Sequence, residues 1–293
     1  VSGLVDWWTE PVARGRIAAL RLLAYGYVLI DVFLTADWVT RHANGPTQFY
    51  RPLQVARLLS LPIPTHQFVL SVRALLVIVT VAALSGRWPR LLGAAVAVLY
   101  AQWMVIAMSY GKVDHDRFAF MVLLFVLPTV GSARLGDEAP SAEVGWAVRM
   151  VQVSVVATYF LAAVAKLRFG GLDWLTGSTL AWAIVRRGTL FSNWLLHAPW
   201  LLRALQWFIV TLELCSPAIF LVRRERTRVI VVAALVGFHL VTFAAIGIIF
   251  LPHLVAMTAF LPLERLSRGG YARSASTGDA EAELTNSVRV TNR

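Results

Sequence analysis

Three ionisable residues sit where a mostly apolar chain has least reason to keep them. Lys166 closes an apolar run, Tyr159-Phe160-Leu161-Ala162-Ala163-Val164-Ala165-Lys166-Leu167, that continues to Asp173-Trp174-Leu175 and Gly177. Of 27 basic residues, only Lys112 and Lys166 are lysines. Arginine stays charged in proteins, whereas a buried lysine can surrender its proton and act as a base or nucleophile. Snorkelling of the amine to the membrane surface is the competing reading. His115 lies in a dense polar turn between Asp114 and Asp116, carboxylates able to orient its ring and tune its basicity. His239 lies inside an apolar run, Gly237-Phe238-His239-Leu240. Ionisable groups at such positions mark functional sites or hydrogen bonds between helices.

The elements that must position these groups are membrane helices. Hydrophobic residues make up 58% of the 293 residues and charged ones 15%. Runs of about 20 apolar residues recur, the length that crosses a hydrocarbon core. The fold class is an all-α polytopic membrane protein, with about eight transmembrane helices at 15–36, 66–85, 91–110, 117–132, 146–167, 199–222, 229–248 and 250–266. Residues 168–197 read as re-entrant or interfacial helix. The long loop 37–65 holds a short surface helix near Leu53–Leu59. The first 16 residues do not read as a cleavable leader; Trp7 and Trp8 suit the headgroup layer. Residues 267–293 read as a disordered cytoplasmic tail.

Arg21, Asp31 and Glu213 are further charges within these runs. Arg21 is expected to snorkel or pair, and Asp31 to reach water at the end of its helix. The single cysteine, Cys215, excludes an internal disulfide and reads as a small packing residue. The net charge of +11 belongs to loops that face anionic lipid, and no nucleic acid is expected as a partner. The basic turn 223–228 sets the orientation: an integral protein of the plasma (inner) membrane with both termini cytoplasmic. That threading puts the Asp114-His115-Asp116 turn and the Lys166 end of the fifth span on one external side. No metal, P-loop or dinucleotide motif is present.

The Tyr159–Leu167 stretch with Asp173-Trp174-Leu175 resembles the membrane part of the vitamin K-dependent γ-glutamyl carboxylase family, the HTTM (horizontally transferred transmembrane) domain. Arg21-Leu22-Leu23, Asp114-His115-Asp116-Arg117-Phe118 and Phe238-His239-Leu240, with the run up to Pro252, match further family stretches in order. The similarity covers about residues 6–266, so the chain divides into an HTTM-like transmembrane domain over 1–266 and the tail. Asp114 stands where the family has asparagine. The carboxylases carry a large soluble domain after the membrane part, where this chain has its polar tail.

The resemblance implies a carboxylase-like or quinol-dependent, oxygen-using enzyme. In that family the lysine matching Lys166 is the base that deprotonates vitamin K hydroquinone. With oxygen, the quinol then yields a base strong enough to take a γ-proton from a peptide glutamate, and carbon dioxide is captured. Carried over, Lys166 and His115 are the expected catalytic pair. His239, Tyr159, Trp174 and Asp114 are expected to hold the cofactor, reduced vitamin K or menaquinol. Partners are then the lipid bilayer and a secreted or membrane peptide or protein. A non-enzymatic scaffold or accessory subunit binding quinone or lipid stays open as the alternative.

Overall fold

A computed structural model describes residues 2–42 and 44–267, and the tail expected over 267–293 lies, from 268 onward, outside the described residues. The elements run α1 (Ser2–Trp8), β1 (Val12–Ala13), α2 (Arg14–Ile30), α3 (Val39–His42), α4 (Gln54–Leu58), α5 (His66–Leu84), α6 (Pro89–Met108) and α7 (Phe118–Val126). They continue with β2 (Pro140–Ser141), α8 (Ala142–Gly170), α9 (Asp173–Thr176), α10 (Thr179–Arg187), α11 (Pro199–Cys215), α12 (Glu225–Ile246) and α13 (Leu251–Met257). The chain is a polytopic all-α membrane protein. Six helices among the described residues are long and apolar enough to cross a bilayer: 14–35, 66–84, 89–108, 142–170, 199–221 and 225–246.

Local chemistry sets where they begin and end. Thr65 caps α5, its hydroxyl accepting from the Phe68 N–H at 3.2 Å. Pro89 and Pro199 open α6 and α11, where the missing N–H costs nothing. Gly247 closes α12 in the left-handed region, φ 65°, which a Cβ would strain. Large apolar side chains such as Leu75, Ile78, Phe208 and Val241 remain on the outside, as lipid-facing surfaces require.

Two of the eight expected spans, 117–132 and 250–266, form shorter helices. The 9 residues of α7 rise only about 14 Å before Pro128. The 7 residues of α13 pass into a 3₁₀ turn over Thr258–Phe260. Both are packed largely inside the bundle, with Phe118, Phe125 and Leu251 left on the outside. Each segment still carries the chain from one end of the bundle to the other. Ala139 meets Arg14 at the start of α2, and β2 pairs antiparallel with β1 there. Glu264 meets Arg16 at that same end, while Phe250 lies at the opposite end beside His115. Where eight membrane-length helices were expected, six stand among the described residues, and these two segments run through the bundle as shorter, broken helices.

Arg21 explains how a broken helix is tolerated. It neither snorkels nor pairs with a carboxylate. Its guanidinium donates to the carbonyls of Leu127 (2.9 Å), Val130 (2.6 Å) and Gly131 (2.9 Å), which end α7 without helical partners. Replacing Arg21 by leucine strands buried carbonyls at about 1–3 kcal/mol each. A clear drop in Tm in detergent is expected, and an unchanged Tm would remove this role.

Asp31 does not reach water. It is fully buried, in a π-helical turn over Asp31–Thr35. Its carboxylate accepts from Arg117 (2.6 Å), Tyr100 (3.0 Å), Tyr27 (3.1 Å) and Thr35. Four donors replace the hydration that the sequence position promised. Cys215, expected to be packed, is exposed at the end of α11.

Residues 168–197 form no membrane-length helix, only α9, α10 and a 3₁₀ turn over Asn193–His197. Buried Gln206 pins this stretch to α11. Its amide donates to the carbonyls of Trp174, Leu175 and Gly177 and accepts from the Leu180 N–H. The loop 37–65 carries α4, as expected.

Candidate functional site

The long helix α8 carries two of the expected residues on one side. Its 29 residues rise about 44 Å, beyond a hydrocarbon core of about 30 Å, so its Lys166 end nears the membrane surface. Lys166 is not left to snorkel. Its Nζ donates to both carboxylate oxygens of Glu213 on α11, each at 2.6 Å. The ammonium also lies 5.4 Å from the centre of the Trp174 ring, a cation–π contact. A small apolar cluster of Ala163, Leu175 and Val210, flanked by Leu167, Trp174 and Leu214, surrounds this pair. In such low-dielectric surroundings the pair attracts more strongly than it would in water.

One to two turns toward the middle of α8, the Tyr159 hydroxyl meets His239 Nε2 of α12 at 2.6 Å. His253 of α13 completes a triangle. Its ring centroid lies 4.7 Å from that of Tyr159 and 5.5 Å from that of His239. Phe250 stands against His239 at 4.6 Å. Both histidines are buried, and among the described residues neither nitrogen of His253 nor Nδ1 of His239 has a hydrogen-bond partner. His239 faces an apolar groove of about 200 Å³ lined by Leu240, Phe243, Ile249, Phe250, Leu251 and Leu254.

The third group lies at the mouth. His115 is exposed in a 3₁₀ turn, and Asp114 is paired with Lys112 at 2.6 Å. Both line a cleft of about 600 Å³ together with His42, Tyr110, Asp116, Arg187 and Phe250. Phe250 and Ile249 belong to the walls of both this cleft and the apolar groove. Burial pushes the Asp116 carboxyl above its usual range; Arg117 pulls it back and Asp114 pushes it up again. A carboxyl raised in the folded state contributes stability at low pH and loses it as pH rises through the raised value. Asp116→Asn is therefore expected to raise Tm at pH 7, with the gain shrinking toward about pH 4. A pH-independent difference would count against burial as its cause.

All six expected site residues thus fall into three adjoining groups: Lys166 with Trp174, Tyr159 with His239, and His115 with Asp114. Glu213 joins them. It does so through its two bonds to Lys166. Glu213 and His253 were not assigned to the site from sequence. A carboxylate inside an apolar run was the available signal for the first. His253, directly after Pro252, gave none.

Comparison with known proteins gives one match: residues 133–264 fit the family model of the HTTM domain. No curated protein and no solved structure matches. The matched stretch includes Tyr159, Lys166, Trp174, Glu213, His239 and His253, while Asp114 and His115 precede it. The chain is a polytopic membrane protein that carries an HTTM domain over residues 133–264.

Proposed function

We propose that this protein is a vitamin K-dependent γ-carboxylase-like membrane enzyme in which Lys166, backed by Glu213, acts as base toward a reduced naphthoquinone. The observation that carries the reading is the Lys166–Glu213 pair inside the stretch that matches the HTTM domain, on the same helix as the Tyr159–His239 bond. An aromatic ring with a hydroxyl at each edge fits the groove beside His239. Its faces would lie against Phe250 and the aliphatic walls, and one of its oxygens would bond Nδ1 of His239, the histidine that lines the groove. Bound there, vitamin K hydroquinone or menaquinol would supply the reducing electrons and, with oxygen, the strong base for peptide glutamate.

The protein's own steps are proton transfers and positioning. Glu213 Oε takes the proton that leaves Lys166 Nζ, which frees the amine lone pair to accept one from a hydroxyl. The Trp174 face holds the lysine in place in its charged form. His115 passes protons between Glu213 and the open cleft, with Asp114 and Lys112 fixing its turn. Tyr159 fixes the His239 ring through Nε2 and leaves Nδ1 for the ligand.

The HTTM-like unit, in this reading, is the whole of 1–266, because one apolar core runs from Ile17 to Leu263. The starts of α2, α8 and α12, with the basic residues of α2 and α12, face the cytoplasm of the plasma (inner) membrane, and the His115 cleft faces outward toward a secreted or membrane peptide. A second reading has its own support. An ion pair that joins α8 to α11 also serves as a staple in a non-enzymatic scaffold or accessory subunit. Purified protein supplied with menaquinol separates the two. Quinol-dependent oxygen uptake and a bound quinone mass are expected. Neither signal, with partners retained on purification, would leave the scaffold.

A further inference from the structure

At the end of the bundle opposite His115, the starts of α2, α8 and α12 converge on a polar cleft of about 280 Å³. Gly145 lets this end close tightly: a Cβ there would come within 2.0 Å of the Glu10 carbonyl oxygen. Three arginines, Arg16, Arg149 and Arg228, and two glutamates, Glu10 and Glu264, line the cleft. Arg16 is held by Glu264 through two bonds, 2.7 and 2.8 Å. Arg149 donates to Glu10 (3.0 Å), Gln152 (3.0 Å) and the Trp7 carbonyl (3.3 Å), with the Trp7 ring 4.2 Å away. Arg228 is the cation left over. It makes a single long bond, 3.3 Å, to the Val222 carbonyl, and its charge bears unfavourably on Arg149.

Among the described residues that line the cleft the arginines outnumber the carboxylates by one, and the Glu10 side chain is 68% exposed, so its share of the compensation is screened by water. The three helix starts add positive ends of their macrodipoles, and none of the three has a side-chain cap. Trp7 and Trp8 place the cleft at headgroup depth. A tetrahedral anion with several acceptor oxygens matches this set: it would relieve the Arg149–Arg228 repulsion and use the spare Arg228 donors. We infer that this cleft binds a phosphate group, with Arg228 as its principal ligand. The two sources of that chemistry are an anionic phospholipid headgroup and free inorganic phosphate.

The test compares purified wild type, Arg228→Gln and Arg226→Gln, the last an exposed arginine of the same basic turn outside the cleft. Native mass spectrometry from nanodiscs of phosphatidylcholine with phosphatidylglycerol reads lipid retention, and melting with added inorganic phosphate reads the free anion. Arg228→Gln is expected to weaken phosphatidylglycerol retention about tenfold, the scale of one lost charged hydrogen bond, with Arg226→Gln near wild type. If phosphate raises the Tm of wild type but not of Arg228→Gln, and phosphatidylglycerol is not preferred, the site stands with the free anion as ligand. Should Arg228→Gln fail to fold, Arg228→Lys gives the same ranking, since it keeps the charge and loses the fork. Equal loss in both glutamine variants, or no loss in either assay, overturns the site and leaves only general attraction to anionic surfaces.

Discussion

Lys166→Ala is expected to lower quinol-dependent oxygen uptake by about 10²–10⁴-fold, the range carried by a positioned acid–base group. The argument starts from where Lys166 sits. Its amine has one carboxylate partner, Glu213, at 2.6 Å through both oxygens, and an indole face on another side. An amine so held can act as a base only if its proton has a route away, and Glu213 is the nearest acceptor. Glu213→Gln keeps the shape and one acceptor oxygen but removes that route, so it should lower uptake nearly as far. Arg168→Ala removes a neighbouring exposed cation and should leave uptake near wild type. Truncating Lys166 also strands a buried carboxylate, so Tm must be measured beside the rate. A Lys166→Ala protein that stays folded and consumes oxygen like wild type sinks the proposed role.

Asp31→Ala is expected to cost about 3–5 kcal/mol of stability, the usual penalty for stranding one member of a buried ion pair. Asp31 has no exposed surface, and Arg117 is nearly as enclosed. Two tyrosines and a threonine complete the shell, so removing the carboxylate leaves the guanidinium without its counter-charge and with only the Tyr100 hydroxyl, at 3.1 Å, as acceptor. Arg117 follows His115 by two residues in the same 3₁₀ turn. Loss of the pair should therefore also loosen the cleft wall that holds His115 and lower uptake beyond what stability alone predicts. The double replacement Asp31→Leu with Arg117→Met should recover much of the Tm, because it leaves no unpaired charge. A single variant that melts within about 1 kcal/mol of wild type would show that water already reaches the pair.

The residues gathered at the site were legible to different degrees. Lys166 and His239 stood out because an ionisable group in an apolar setting needs a reason to be there, and His115 because carboxylates flank it on both sides. Glu213 carried the same signal, but its sequence position says nothing about which cation it faces. The pair spans 47 positions and depends on how α8 and α11 are rotated against each other. The Asp31–Arg117 bond spans 86 positions, and the helix-end position of Asp31 pointed to water instead. Arg21 read as a snorkelling or paired cation because carbonyls that lack partners are invisible until the helix offering them is seen to stop.

The sequence by itself determined that this is a polytopic helical membrane protein, since apolar run length is a local property that the bilayer thickness reads directly. It also singled out the ionisable residues within or beside those runs. Only the tertiary structure decided that two of the eight expected spans are short, broken helices, that Lys166 is tied to Glu213, and that His253 joins Tyr159 and His239. Those outcomes turn on helix rotation and depth, which are set by packing between distant segments, and no local pattern along the chain encodes them.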